Sequence, residues 1–250
     1  MSGGDRRPAG TERCSVRSFT GGSWREKEAE VVREISLDVC LNGRKLAAIA
    51  CAGLHVGELA VGWLRSEGII RSAREIAAAT AGREGWSVDV RTAADWSGAG
   101  PSGEPEPLPL PAAGAATVSP ERIFTLMGQM VEAADIHRRS RGTHGAALAG
   151  TAGIITVRED IGRHNCLDML SGYALLNGIA GADKMILRTG RVSSDIVIKI
   201  WRMGVPAVIS LSVPTALAVR IAERAGITLV GAVRAPSLTV YTHPERVGGA

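Results

Sequence analysis

After Thr151 the chain repeats one grammar, and nothing else in the sequence limits the fold as much. A short apolar strand meets a turn of glycine, serine or threonine, and a helix follows. "AGIITVRED" leads to a helix over about His164–Leu176, stopped near Gly178. "KMILRTG" leads to "SSDIVIKIWRMG", and "PAVISLS" leads to "PTALAVRIAERAG". "ITLVGAVR" and "LTVYT" close the pattern. Strands this apolar belong in a sheet covered on both faces, and their alternation with helices gives α/β layering. Upstream, Ser119 is placed as a helix N-cap with Pro120 at the first helical position, opening a helix through about Arg139. Residues 119–247 therefore read as a C-terminal α/β domain.

The first half is built differently. "VVREISLDVCLNGRKLAAIAC" alternates on both sides of Asn42-Gly43, a strong hairpin signal. "HVGELAVGWLRSEGII" sets Val56, Leu59, Ala60, Trp63 and Leu64 at helical spacing, and "WSVDVRTA" reads as a further strand. Residues 31–93 thus form a β-rich N-terminal domain with one helix, α+β in combination with the rest. Residues 1–30 are rich in Gly, Ser, Arg and Glu without periodicity and read as a flexible tail. Ala94–Val118 carries five prolines in about a dozen residues, which suits neither helix nor sheet interior. It reads as a Pro/Gly-rich loop or linker.

Three polar clusters fall at the strand-to-helix junctions: Asp160–Asn165, Thr189–Ser194 and Ser212–Thr215. In an open α/β sheet these junctions share one edge, the edge at which ligands bind. Gly162 and Gly190 admit a close backbone approach. Ser193, Ser194 and Thr215 sit where free helix N–H groups attract anions, and Arg163, Arg191 and Arg234 add fixed positive charge. Capping alone explains any one cluster; three together point to a phosphate or pyrophosphate pocket.

The densest junction is "EDIGRHNCLDMLSG", Glu159–Gly172. His164 and Asp168 stand four apart, on one helix face, as a hydrogen-bonded pair rather than a metal site. His144 in "GTHGAAL" lacks the H-x-E and P-C-x-x-C context of a zinc deaminase. "HRRSRG", His137–Gly142, is a basic cluster suited either to a phosphate or to a helix C-terminus. Of the four cysteines, Cys14 lies in the tail and Cys40 in a strand. Cys51 precedes a helix N-terminus and Cys166 opens one, positions that favour a thiolate. Both are candidate nucleophiles, with an inert core role as the alternative.

Composition removes several classes. Twenty-nine basic against 25 acidic residues and a net charge of +4 suit an anionic ligand but give no nucleic-acid signature. No C-x-x-C pair, signal-peptide pattern or apolar run of membrane length is present, so a cytoplasmic, membrane-free protein with reduced thiols is expected.

"NGRKLAAIAC", "ELAVGWLRSEGII", "GTHGAAL", "EDIGRHNCLDMLSG", "TGRVSSDIVIKI", "GVPAVISLSVPTALAVRIAERAGITLVGAVR" and "VYTHPERV" occur in this order. Together they resemble the FdhD/NarQ family of formate dehydrogenase accessory sulfurtransferases, over about Glu34–Val247. The resemblance implies a C-terminal part of cytidine-deaminase-like fold and a homodimer. It implies transfer of persulfide sulfur from a cysteine desulfurase to the Mo-bis(molybdopterin guanine dinucleotide) cofactor, Mo-bisMGD, of the formate dehydrogenase catalytic subunit. GDP would then serve as a fragment analogue of that cofactor. The family's cofactor-binding segment falls on Ala232, Val233, Arg234, Ala235, Pro236 and Ser237, with Arg163, His164, Gly190, Arg191 and Thr215 as further candidates. The family's C-x-x-C falls within Ala94–Val118, which here holds no cysteine. That leaves Cys51 and Cys166 as the candidate relay thiols and makes a non-catalytic cofactor-binding or hand-over module the alternative. A nucleotide-binding hydrolase is a remote one. The dimer is expected to form through an apolar face of the C-terminal domain.

Overall fold

The structure, a computed structural model, describes residues 10–82, 86–93 and 117–248. It opens with two ten-residue strands, β1 (Thr11–Thr20) and β2 (Ser23–Val32), paired antiparallel along their full length. This corrects the expectation of a flexible tail over residues 11–30; residues 1–9 of that tail lie outside the described residues. The turn is Gly21-Gly22, both at positive φ, a hairpin dipeptide. The strands are polar on both faces, so they show none of the period-two hydrophobicity that betrays a half-buried strand.

A four-stranded sheet follows, built from β3 (Ile35–Leu41), β4 (Arg44–Cys51), β5 (Ile76–Ala81) and β6 (Ser87–Thr92) in the order β4-β3-β6-β5. Asn42 and Gly43 turn the β3–β4 hairpin, both at positive φ. Leu37, Val39, Leu41, Val88 and Val90 point to one face, where α1 (Val56–Ser66) covers them with Leu59, Ala60 and Leu64. The strand β5 is Ala-rich and exposed, which is why periodicity passes it over. Of the proline-rich segment, Val118 bridges to Val247; residues 94–116 lie outside the described residues.

The second half begins with α2 (Pro120–Ala133), capped by Ser119, whose hydroxyl accepts from Arg122 N at 3.2 Å. The expected helix through Arg139 breaks at Ala134, and α3 (Asp135–Ser140) starts anew. The break has a cause outside the segment: the Glu159 carboxylate accepts from Ile136 N and His137 N at 3.1 and 2.7 Å, capping a second helix start. Then come β7 (His144–Ala149), β8 (Ile154–Asp160), α4 (Arg163–Leu176), β9 (Met185–Arg188), α5 (Ser194–Arg202), β10 (Ala207–Ser210), α6 (Ala216–Ala225), β11 (Thr228–Arg234) and β12 (Ser237–Thr242). The sheet order is β12-β11-β10-β9-β7-β8. Strands β9, β10 and β11 are parallel; β7 runs against both β8 and β9, and β12 against β11. The mixed α/β class expected from the sequence is the class observed. No helix among the described residues is long and apolar enough to cross a membrane.

The two sheets meet at the crossing of α1 and α4, where the backbones touch. A Cβ on Gly62 would lie 1.7 Å from Asp168 O, and one on Gly172 would lie 2.0 Å from Glu58 O. Helix α4 serves both cores: Met169 and Leu175 join the first sheet's cluster, while Cys166, Leu167, Leu170 and Ala174 join the second's. Charges lock the seam. Arg158 donates to Glu58 through Nε at 2.6 Å and Nη2 at 2.9 Å and stacks over Tyr173. Lys199 donates to both oxygens of Asp168, which also accepts from Ser66 Oγ at 2.5 Å.

Candidate functional site

The polar clusters collect where four co-directional strands stop. Because β8, β9, β10 and β11 run the same way, Asp160, Arg188, Ser210 and Arg234 end them at one edge, with His144 at the start of β7. Asp160 faces His144 across the ladder, and Arg188 pairs with both Ala146 and Ser210. The loops interlock. Gly190 O accepts from Arg188 Nε at 3.1 Å and Ser210 Oγ at 2.8 Å; Thr215 N donates to Val192 O, and Ala232 N to Ser212 O. All three predicted junctions are brought together.

The "EDIGRHN" motif divides its labour. Asp160 is fully buried and accepts from Ala52 N, Gly162 N and Asn165 Nδ2 at 2.8, 2.9 and 2.6 Å. Asn165 Nδ2 also donates to Ala50 O at 2.8 Å. These two residues therefore clamp the end of β4 to the start of α4. Burial raises the Asp160 carboxyl above its ordinary range, against the pull of the Ala52 and Gly162 N–H groups and Asn165. Glu159 caps α3, as above. Only Arg163 and His164 of the motif's ionisable groups are left to the edge itself.

His164 pairs with Asp195 of α5, Nε2 donating to Oδ2 at 2.5 Å. This corrects the expected His164–Asp168 pair: Asp168, one turn along, faces Lys199 and Ser66 at the helix crossing. Burial lowers the His164 imidazole, with Arg163 and Lys199 adding to the fall and Asp195 opposing it. Burial alone would raise Asp195, but Ser193 and His164 hold its carboxyl below the usual range. His144 is lowered by burial and by Arg188, Arg163, His137 and His164 around it. Burial brings the Arg188 guanidinium down to about 10, which leaves it charged at neutral pH.

This is a cationic edge with one paired carboxylate, Asp195. Gly190 is buried under the stem of Arg163; a Cβ there would meet Arg163 Cβ at 3.4 Å. Arg163 Nε is buried and has no hydrogen-bond partner among the described residues. An unpartnered buried guanidinium N–H costs free energy that an anionic ligand would return. The helix starts differ too. Thr215 is an ordinary cap, accepting from Ala218 N at 3.3 Å, whereas α4 and α5 begin at Gly162 and Ser193 with no side-chain cap bond. The edge thus suits a phosphate-sized anion over α4 and α5 better than over α6.

The segment Ala232–Ser237 forms the β11–β12 turn at the same edge. Ala232 takes positive φ, Val233 is buried, and Arg234, Ala235, Pro236 and Ser237 are exposed. Arg191 is exposed as well. His144 and Arg188 are the residues that sequence reasoning passed over as binding groups. A signal existed for Arg188: an arginine closing an apolar strand is costly to bury unless it serves a site.

Of the thiols, only Cys166 lies under this edge, and it is buried beneath it. Cys166 is buried, its Sγ donating to His144 O at 3.3 Å, and burial with Asp160 nearby raises its pKa. Cys51 is buried and pushed up to about 11, chiefly by burial. The helix-start positions that favoured thiolates are outweighed by desolvation. Cys40 is half-buried and raised, by burial and then by Asp89 and Asp38, while Cys14 is exposed on β1. No group of three or more His, Cys, Asp or Glu side chains that could hold a metal ion occurs among the described residues.

Comparison with known proteins gives a consistent picture. A model of the FdhD/NarQ family matches residues 32–248. The chain is 36% identical to the sulfur carrier protein FdhD of Bacillus subtilis, over 90% of this chain and 95% of that one. It is 34% identical to the same-named protein of Geobacillus kaustophilus, over 94% and 97%. A crystal structure from Desulfotalea psychrophila, described as a candidate formate dehydrogenase accessory protein, superposes with a TM-score of 0.82 at 25% identity. It covers 95% of this chain and 99% of the other.

Proposed function

Because this chain belongs to the FdhD/NarQ family, we propose that it is an accessory protein of formate dehydrogenase maturation that handles Mo-bisMGD as cargo. Its cysteine desulfurase and the formate dehydrogenase catalytic subunit would stand on either side of it, and two protomers would act together. The observation that carries this reading is the strand edge: Arg163 with a buried unpartnered Nε, beside Arg188, His144 and His164, over two helix starts without side-chain caps. Such an edge fits the diphosphate of a guanine dinucleotide. Calorimetric titration with GDP tests it. Binding that weakens as salt rises is expected, and no heat of binding up to millimolar GDP would overturn the pocket.

A second reading is a hand-over module that moves the cofactor without relaying sulfur itself. The burial of Cys51 and Cys166 favours it, since a relay thiol must be reached, ionise and leave. Incubation with a cysteine desulfurase and cysteine, followed by mass spectrometry of each thiol, separates the two readings. A persulfide on any cysteine supports the carrier, and none supports the module.

A further inference from the structure

The hairpin of β1 and β2 falls almost wholly outside the matched family region, which starts at residue 32. Ten residues a strand give it a length of about 33 Å. At its base Arg33 N donates to Gly10 O, and Glu30 pairs with Arg139 of α3. Its residues enter none of the three hydrophobic clusters, so it stands on the body as an arm.

The arm's largest apolar groups are at its far end. Phe19 and Trp24 face each other across the ladder, one rung behind the last pair Thr20–Ser23, with ring centroids 5.3 Å apart. Arg17 lies over the Trp24 ring. Such a pair steadies a lone hairpin, yet Phe19 stays 58% and Trp24 60% exposed. The tip is also hollowed. A concavity of about 470 Å³ is lined there by Ser18, Thr20, Ser23, Arg25, Lys27 and Glu26, three hydroxyls and two cations against one acid.

Charge follows the same axis. Counted back from the rings, Arg25, Arg17 and Lys27 stand on the first three rungs, with Glu26 as the single acid among them. Glu28, Glu30 and Glu12 stand on the fourth, sixth and seventh, with Arg13 as the single base. At about 3.4 Å a rung, the cations lie within about 10 Å of the rings and these acids about 14–24 Å from them, beyond a Debye length of about 8 Å. Rings first, then cations and hydroxyls, then acids held back is the order that a bilayer surface asks for. Its interfacial layer takes up aromatic rings, and its anionic headgroups attract basic side chains. A protein partner imposes no such order along the arm, and the stretch Arg17–Lys27 is far shorter than the roughly 20–30 residues a standard interface draws from each side.

We propose that the arm tip is a membrane-surface contact: Phe19 and Trp24 enter the headgroup boundary of a bilayer carrying anionic phospholipid, while Arg17, Arg25 and Lys27 meet its phosphates. The expectation of a membrane-free protein rests on spanning segments, and a surface contact needs none. The contact is weak, reversible and independent of the strand edge.

Flotation of the full chain with phosphatidylcholine vesicles, with and without phosphatidylglycerol, tests it. Binding to the mixed vesicles that falls as salt rises is expected. Phe19→Ser with Trp24→Ser, and separately Arg25→Glu with Lys27→Glu, should each lower partitioning about tenfold or more. Both double variants should keep the parent's thermal unfolding, because the arm serves no core. On vesicles of brominated lipid, tryptophan quenching in the parent should be lost in Trp24→Phe, which keeps a ring and the binding. No binding to the mixed vesicles overturns the proposal, as does binding that ignores the tip variants. So does quenching that survives in Trp24→Phe, which would move the contact to another tryptophan such as the exposed Trp86.

Discussion

The helix crossing and the strand edge use the same kinds of charged side chain to opposite ends. At the crossing each charge has its counter-charge inside the protein: Arg158 with Glu58, and Lys199 with Asp168. At the edge Arg163, Arg188, His144 and His164 stand near one ion-paired carboxylate, Asp195, while the Asp160 carboxylate is taken up by Ala52, Gly162 and Asn165. One region is complete as it folds. The other is short of negative charge and keeps a buried donor without an acceptor. A fold can hold such a deficit only where the surrounding structure is secure, and the crossing supplies that security one turn further along α4.

The contrast breaks most visibly at the crossing itself. Gly172→Val should cost about 4 kcal/mol or more in calorimetric stability, or prevent folding, because the new carbon meets the Glu58 carbonyl and the helices must part. Asp168→Ala should cost about 3–5 kcal/mol by urea unfolding, since it leaves Lys199 uncompensated beside a buried seam. An Asp168→Ala protein of parental stability would show that the crossing does not depend on its charges.

At the edge the same kind of deletion should act on binding instead. Arg163→Ala is expected to weaken GDP by about 1.5–3 kcal/mol in titration calorimetry while changing unfolding stability by less than about 0.5 kcal/mol. Arg234→Ala, on the exposed turn, should sit at the lower end of that range. The smallest effect concerns pH. The folded state disfavours charging of His164, so its contribution to stability is full above the ordinary value of 6.5 and falls as pH drops below it. A bound anion favours the charged imidazole, so affinity for sulfate, an anion whose own charge does not change in this range, should rise as pH falls from 7.5 to 5.5. His164→Gln should flatten that rise.

How much of this could be read along the chain differs for the same two regions. The edge was legible because strand, turn and helix follow one another locally, and co-directional strands put their ends together by topology. The crossing was not. Asp160 and Asn165 look like ligand-binding groups, yet their partners Ala52 and Ala50 lie more than a hundred residues upstream. His164 has a sequence neighbour of the right kind in Asp168, but its real partner is Asp195 on the next helix. The arm escaped for another reason: with water on both faces, its strands need no alternation, and only Gly21-Gly22 marks them.

The shared helix α4 has a consequence for anyone who would recombine this protein with a relative. The proline-rich stretch before Val118 looks like a natural splice point, but a fragment ending there would lack Met169 and Leu175, which finish the first sheet's core. The other fragment would present Gly172 to a helix that no longer offers Glu58. A chimaera joined there inherits its two halves from parents whose facing glycines and seam charges were matched separately. Gly62 and Gly172, 110 positions apart, must therefore travel as a single inherited unit, together with the Asp168, Ser66 and Lys199 that close around them.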